Sequence, residues 1–90
     1  MTTLYYEDER AVLTEVGTVV NYVHAIELIK TFLGSQMYQV RYTRMWVEED
    51  IQIGWCIVID YGCWNSFFKI GGFNSAVDAD VFIQTMNNKD

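Results

Sequence analysis

Between Thr18 and Leu33 the apolar positions Val19, Tyr22, Val23, Ile26, Ile29 and Leu33 recur every three or four residues, with Asn21, His24, Glu27 and Thr31 opposite them. That spacing predicts an amphipathic helix, and Gly34 is well placed as the residue that ends it. Upstream, Val12, Leu13 and Val16 continue the same spacing. The β-branched valines and threonines and Gly17 oppose an unbroken helix, since a mid-helix glycine costs ~1 kcal/mol relative to alanine. The reading therefore places a break at Gly17 and leaves residues 1–17 as an irregular or short extra element.

After Gly34 the period changes from helical to alternating. In Tyr38–Val47, Tyr38, Val40, Tyr42 and Trp46 share one face, while Gln39, Arg41 and Thr43 share the other. In Ile51–Tyr61 the large apolar residues Ile51, Ile53, Trp55, Ile57 and Ile59 alternate with Gln52, Gly54, Cys56, Val58 and Asp60. Two half-buried strands are predicted, joined by an acidic hairpin loop at Glu48-Glu49-Asp50. A third strand follows over Ser66–Ile70, and Gly71-Gly72 should release the chain into a last helix. Ser75 with Asp78 fits a capping box, and Ala76, Ala79, Phe82, Ile83 and Met86 form its apolar side. The expected fold class is α+β: a helix, a three-stranded antiparallel β-meander and a C-terminal helix, in αβββα order. Both helices should pack on one sheet face, with the polar or small face meeting water.

Helix–three strands–helix is similar to the order of double-stranded-RNA-binding domains. The stretch FKIGGFNSAVDADVFIQTM resembles the strand–GxF–helix ending of integrase arm-binding domains. These resemblances imply a shape and no more. The RNA-binding family carries a basic cluster at the start of its last helix, where this chain has Asp78 and Asp80, and the arm-binding family needs a basic sheet face.

Charge sharpens this exclusion. Twelve acids against six bases give a net charge of −6, the wrong sign for displacing phosphate counterions or for resting on an anionic membrane. An acidic face meeting a basic protein partner fits better, and imitation of DNA charge is a special case of it. At 90 residues, 51% apolar and 16% aromatic, the chain suits a single domain whose modest interior cannot hold every ring. The polar, acidic N-terminus has no signal-peptide pattern, so a cytoplasmic location with Cys56 and Cys63 reduced is expected.

Candidate chemistry is sparse. Phosphate loops and the nucleophile elbow are absent from the sequence, and two thiols with one distant histidine match no metal-ligand spacing. His24 and Glu27 stand one turn apart, where an oriented imidazole could act as a base, but no nucleophile accompanies them. The expectation is a non-enzyme without cofactor or bound metal. Its binding residues would be the acids Glu7, Asp8, Glu9, Glu48, Glu49, Asp50 and Asp60, together with Trp64 at a hairpin tip. In general character the chain resembles small phage-encoded inhibitors of host defence, including anti-CRISPR and DNA-mimic proteins. The alternative is an oligomeric structural or accessory subunit, with a homodimer formed through the sheet.

Overall fold

A computed structural model describes residues 2–34, 44–62 and 65–84. Among them the chain runs β1 (Thr2–Glu7), β2 (Leu13–Val19), α1 (Tyr22–Leu33), β3 (Arg44–Asp50), β4 (Gly54–Asp60), β5 (Phe67–Phe73) and α2 (Ala76–Gln84). The strands form one antiparallel sheet in the order β2-β1-β5-β4-β3. The protein is α+β, but the three-stranded meander is overturned. Strands β3, β4 and β5 are three of the five strands of one sheet, whose other two form the hairpin of residues 2–19. The likeness to αβββα domains ends there.

The N-terminal hairpin was disguised by a β-bulge. Leu4 pairs with Gly17 and Tyr5 with Glu15, so Val16 is an extra residue on β2. The extra residue breaks the two-residue alternation. Leu13, Val16 and Val19 then fall three apart, which mimics a helix. Asp8 closes the turn, its Oδ1 accepting from the Arg10 and Val12 amides at 2.9 and 3.0 Å.

Helix α1 starts later than its pattern suggested, at Tyr22. Asn21 caps it, its side-chain oxygen accepting from the His24 amide at 2.8 Å. Gly34 ends it at φ 59°, its amide donating to the Lys30 carbonyl. Tyr22, Ala25 and Ile29 are the buried residues of α1, and Val23 stays exposed. The inward face is thus turned from the predicted stripe, bringing Leu28 against Gly17 of β2.

The acidic run Glu48-Glu49-Asp50 lies within β3, and the connection is Ile51–Ile53. Asp50 fixes that turn through its Oδ1, which accepts from the Gln52 and Ile53 amides, and Gly54 follows at φ 76°. Ile51 is 99% exposed at the tip. Gly71-Gly72 does not release the chain. Cys56 pairs with Gly71 and Trp55 with Phe73, making Gly72 a second bulge at φ 107°. Helix α2 begins as expected, with Ser75 Oγ accepting from the Asp78 amide. The predicted strand residues Tyr38–Thr43 lie outside the described residues.

Leu4, Ile57, Ile59, Phe68 and Ile70 share one sheet face and form one core with Tyr22, Ala25 and Ile29 of α1 and Ala79 and Phe82 of α2. Phe68 stands at the centre, its ring 5.1 to 5.6 Å from those of Tyr6, Phe32 and Tyr61. The Tyr61 hydroxyl is satisfied in this apolar setting by Ser66 Oγ at 2.8 Å.

Candidate functional site

Alternation along the strands puts Tyr5 and Glu7 of β1, Phe67 and Lys69 of β5, Cys56 and Val58 of β4, and Arg44, Trp46, Glu48 and Asp50 of β3 on the face opposite the helices. No described helix covers it. Its centre nevertheless does not meet water: Cys56, Val58 and Lys69 are 0%, 2% and 5% exposed.

The face is roofed by its own side chains. Trp46 on β3 and Phe67 on β5 flank β4, yet their rings approach to 6.2 Å, edge to face. Strands two apart in a sheet are separated by roughly 9.6 Å, so the rings lean together across β4, where Val58 lies opposite Trp46. Ile53 folds in from the hairpin turn and fills the place of a side chain at Gly71, where a Cβ would lie 3.1 Å from Ile53 Cδ1.

The same face carries a charge cluster. Lys69 Nζ is 2.7 Å from Asp50 Oδ2, 3.3 Å from Glu7 Oε2 and 3.5 Å from Glu48 Oε2, and its side chain is only 6% exposed. The convergence reports the curvature of the sheet. Glu7 ends β1 and Asp50 ends β3 at diagonally opposite corners, roughly 25 Å apart on a flat sheet with strands ~4.8 Å apart and a ~3.4 Å rise. A single ammonium reaches both corners because twist, increased at the bulges, curls them together. Three carboxylates around one amine leave an excess of two negative charges.

Burial alone would lower the Lys69 pKa. The hydrogen bond that Lys69 donates to Asp50 and the charges of Glu7 and Asp50 outweigh it, and Lys69 is held protonated above the usual lysine range. Burial would raise Asp50, but the Lys69 hydrogen bond and the Gln52 and Ile53 amides hold it below the usual carboxylate range. Beneath them, burial pushes the Cys56 thiol up to about 12.

The sequence-derived candidates therefore separate. Glu7, Glu48 and Asp50 come together. Asp8 is spent on its own loop, while Glu9 and Glu49 are exposed, Glu49 with a parity that faces the helix side. Asp60 pairs with Arg44 at 3.2 Å at the other end of β3 and β4. Trp64 lies outside the described residues. His24 accepts from the Val20 amide through Nδ1 at 3.3 Å, which makes it part of the entry to α1. Lys69, Trp46 and Phe67 were missed as site residues. A lone lysine among Phe67, Phe68 and Ile70 was the available signal, because such a charge needs partners.

Among the described residues no group of three or more His, Cys, Asp or Glu side chains could hold a metal ion, and no helix is long and apolar enough to cross a membrane. No family model, curated protein or solved structure matches the chain.

Proposed function

We propose that the protein acts by binding a protein partner with a basic surface, as an inhibitor or accessory factor, and not by catalysis. The observation that carries this reading is the convergence of Glu7, Glu48 and Asp50 on one lysine, on the sheet face that neither described helix covers. The excess negative charge is fixed in place by the fold. Trp46, Phe67 and Tyr5 around it are half-buried rings of the kind that anchor interfaces. Lysine or arginine side chains of a partner would meet this face, with complementary charge setting orientation and association rate.

A nuclease or other nucleic-acid-handling enzyme presents such a basic surface. The reading extends to an anti-defence inhibitor of phage type that occupies a DNA-binding groove in the host cytoplasm. Direct contact with nucleic acid is disfavoured by the net charge of −6. Catalysis is disfavoured by the two groups at the heart of the face: a lysine held protonated and a thiol pushed up to about 12 are poor nucleophiles at neutral pH.

The test is capture of partners from the native cell by the wild-type chain and by a Glu15→Lys/Glu48→Lys variant, both verified as folded. Glu15 lies opposite Tyr5 on the same face and is exposed. The variant should lose the captured protein by tenfold or more, and wild-type affinity should fall as salt rises from 50 to 300 mM, on the order of a Debye-length change from 14 to 6 Å. Equal capture by both chains, or an affinity indifferent to salt, would sink the reading.

A further inference from the structure

The two edges of the sheet are unlike. Edge strand β2 is interrupted by its bulge at Val16, a device that discourages pairing with another chain. Edge strand β3 is regular: its seven residues pair with β4 in unbroken register from Arg44–Asp60 to Asp50–Gly54. Among the described residues no strand pairs with its outer side. The strand is also polarised, with Arg44 at its start and Glu48, Glu49 and Asp50 at its end.

We propose that β3 pairs antiparallel with β3 of a second copy of this chain, about a twofold axis through Trp46, so that two sheets join edge to edge. Charge and parity select this arrangement. Parallel pairing of the same strand in register would set Arg44 against Arg44 and acid against acid. In an antiparallel twofold, opposed residues must lie on the same face, so the axis passes through a residue. An axis through Trp46 opposes Arg44 to Glu48 of the second copy, Met45 to Val47, and Trp46 to itself. These are opposite-charge, apolar and aromatic pairs, the kinds that stabilise neighbouring strands. Moving the axis to Glu48 opposes two glutamates and is rejected. An axis through Val47 opposes Arg44 to Asp50, whose carboxylate is 11% exposed and already bound to Lys69. Arg44 and Glu48 also have partners within the chain, Asp60 at 3.2 Å and Lys69 at 3.5 Å, but at 59% and 42% exposed they have surface left for a second copy, and the Arg44 guanidinium is held 5.5 Å from the Trp46 ring centre.

The dimer does not rest on the proposed basic partner. Arg44→Glu makes the acidic face more negative, so it should break the dimer while leaving capture of a basic protein intact.

The experiment is sedimentation equilibrium of the full chain from micromolar to millimolar concentration, for wild type, Arg44→Glu, Glu48→Arg and the double variant carrying both. Far-ultraviolet circular dichroism checks that each chain folds. Wild type should dimerise reversibly, and each single reversal, which opposes like charges twice per dimer, should weaken association by on the order of tenfold to a hundredfold. The double variant restores opposite charges across the axis and should recover to within about threefold of wild type, a rescue that a folding defect would not give. A wild-type monomer at every concentration overturns the proposal and leaves this edge to a strand of some other protein. Dimers of equal strength in all four chains overturn it as well.

Discussion

Lys69 on β5 and Asp50 at the end of β3 meet at 2.7 Å, although β4 lies between their strands. The contact ties the outer edge of the sheet to its centre, and Glu7 extends the tie to β1. Lys69→Met keeps the length of the side chain and removes its charge, leaving three carboxylates together without a cation. Breaking a buried pair in this way costs about 3–5 kcal/mol, so the urea midpoint at pH 7 should fall accordingly with little change in slope. Asp50→Asn, which leaves Glu7 and Glu48 facing the lysine, should cost less. A Lys69→Met chain as stable as wild type would mean that the cluster does not hold the sheet together.

The pH profile follows from the shifts in this cluster. Asp50 is held below its ordinary value, so its contribution is present above the unfolded aspartate pKa of ~3.9 and lost as pH falls through the folded value. Lys69 is raised, so its contribution is complete below the unfolded value of ~10.4 and lost as pH rises. Cys56, raised to about 12, and Tyr22, raised by burial, have the same sign as Lys69. The unfolded thiol begins to ionise near ~8.5 and starts the alkaline decline. Stability measured by denaturant titration should therefore be flat from about pH 4 to about pH 8.5 and fall on both sides. Cys56→Ala should move the onset of the alkaline fall upward.

The two helices were legible as elements because their apolar positions recur at helical spacing, whereas the three-stranded meander read from the alternating segments is only part of a five-stranded sheet. The N-terminal hairpin was not legible, because the bulge at Val16 turns alternation into a three-residue spacing. The acidic run misled for a different reason: three consecutive acids suit a solvated loop, but they also suit an edge strand that a lysine reaches from two strands away. Glu7, Glu48 and Asp50 could be named as surface acids from composition alone. Their convergence could not be read, since it depends on the curl of the whole sheet and on a lysine sixty-two residues from Glu7.

Gly71 tests the roof over this face. An alanine Cβ there would sit 3.1 Å from Ile53 Cδ1 and 3.4 Å from Tyr5 Cε1, tighter than ordinary contact on the isoleucine side. Overpacking of this kind costs about 1–3 kcal/mol, and the isoleucine tip, being flexible, puts the expectation at the lower end. In an Ile53→Ala background the same Gly71→Ala change should become neutral or stabilising, because the new methyl enters the space that Ile53 vacated. A double-mutant cycle on thermal or urea unfolding gives the coupling. Additive effects would show that Ile53 does not lie over Gly71 in solution.

Cys56 tests whether the centre of the face is sealed. Its side chain is 0% exposed, and its thiol is pushed up to about 12, chiefly by burial. Thiolate is the reactive form, so an exposed cysteine with a pKa near 8.5 should label about tenfold faster per pH unit below that value. In a chain carrying Cys63→Ser, an aromatic disulfide reagent should instead react with Cys56 only as fast as the protein opens. The rate should be nearly independent of reagent concentration when reagent is abundant, and it should rise with urea in parallel with unfolding. The Lys69→Met chain, destabilised by loss of the clasp, should label faster by the share of its lost stability that appears in the opening rate. Rapid labelling of the folded chain, first order in reagent, would mean that the Trp46–Phe67 roof and the curled sheet open without unfolding. The face would then be a mobile surface in place of the rigid acidic platform proposed for binding.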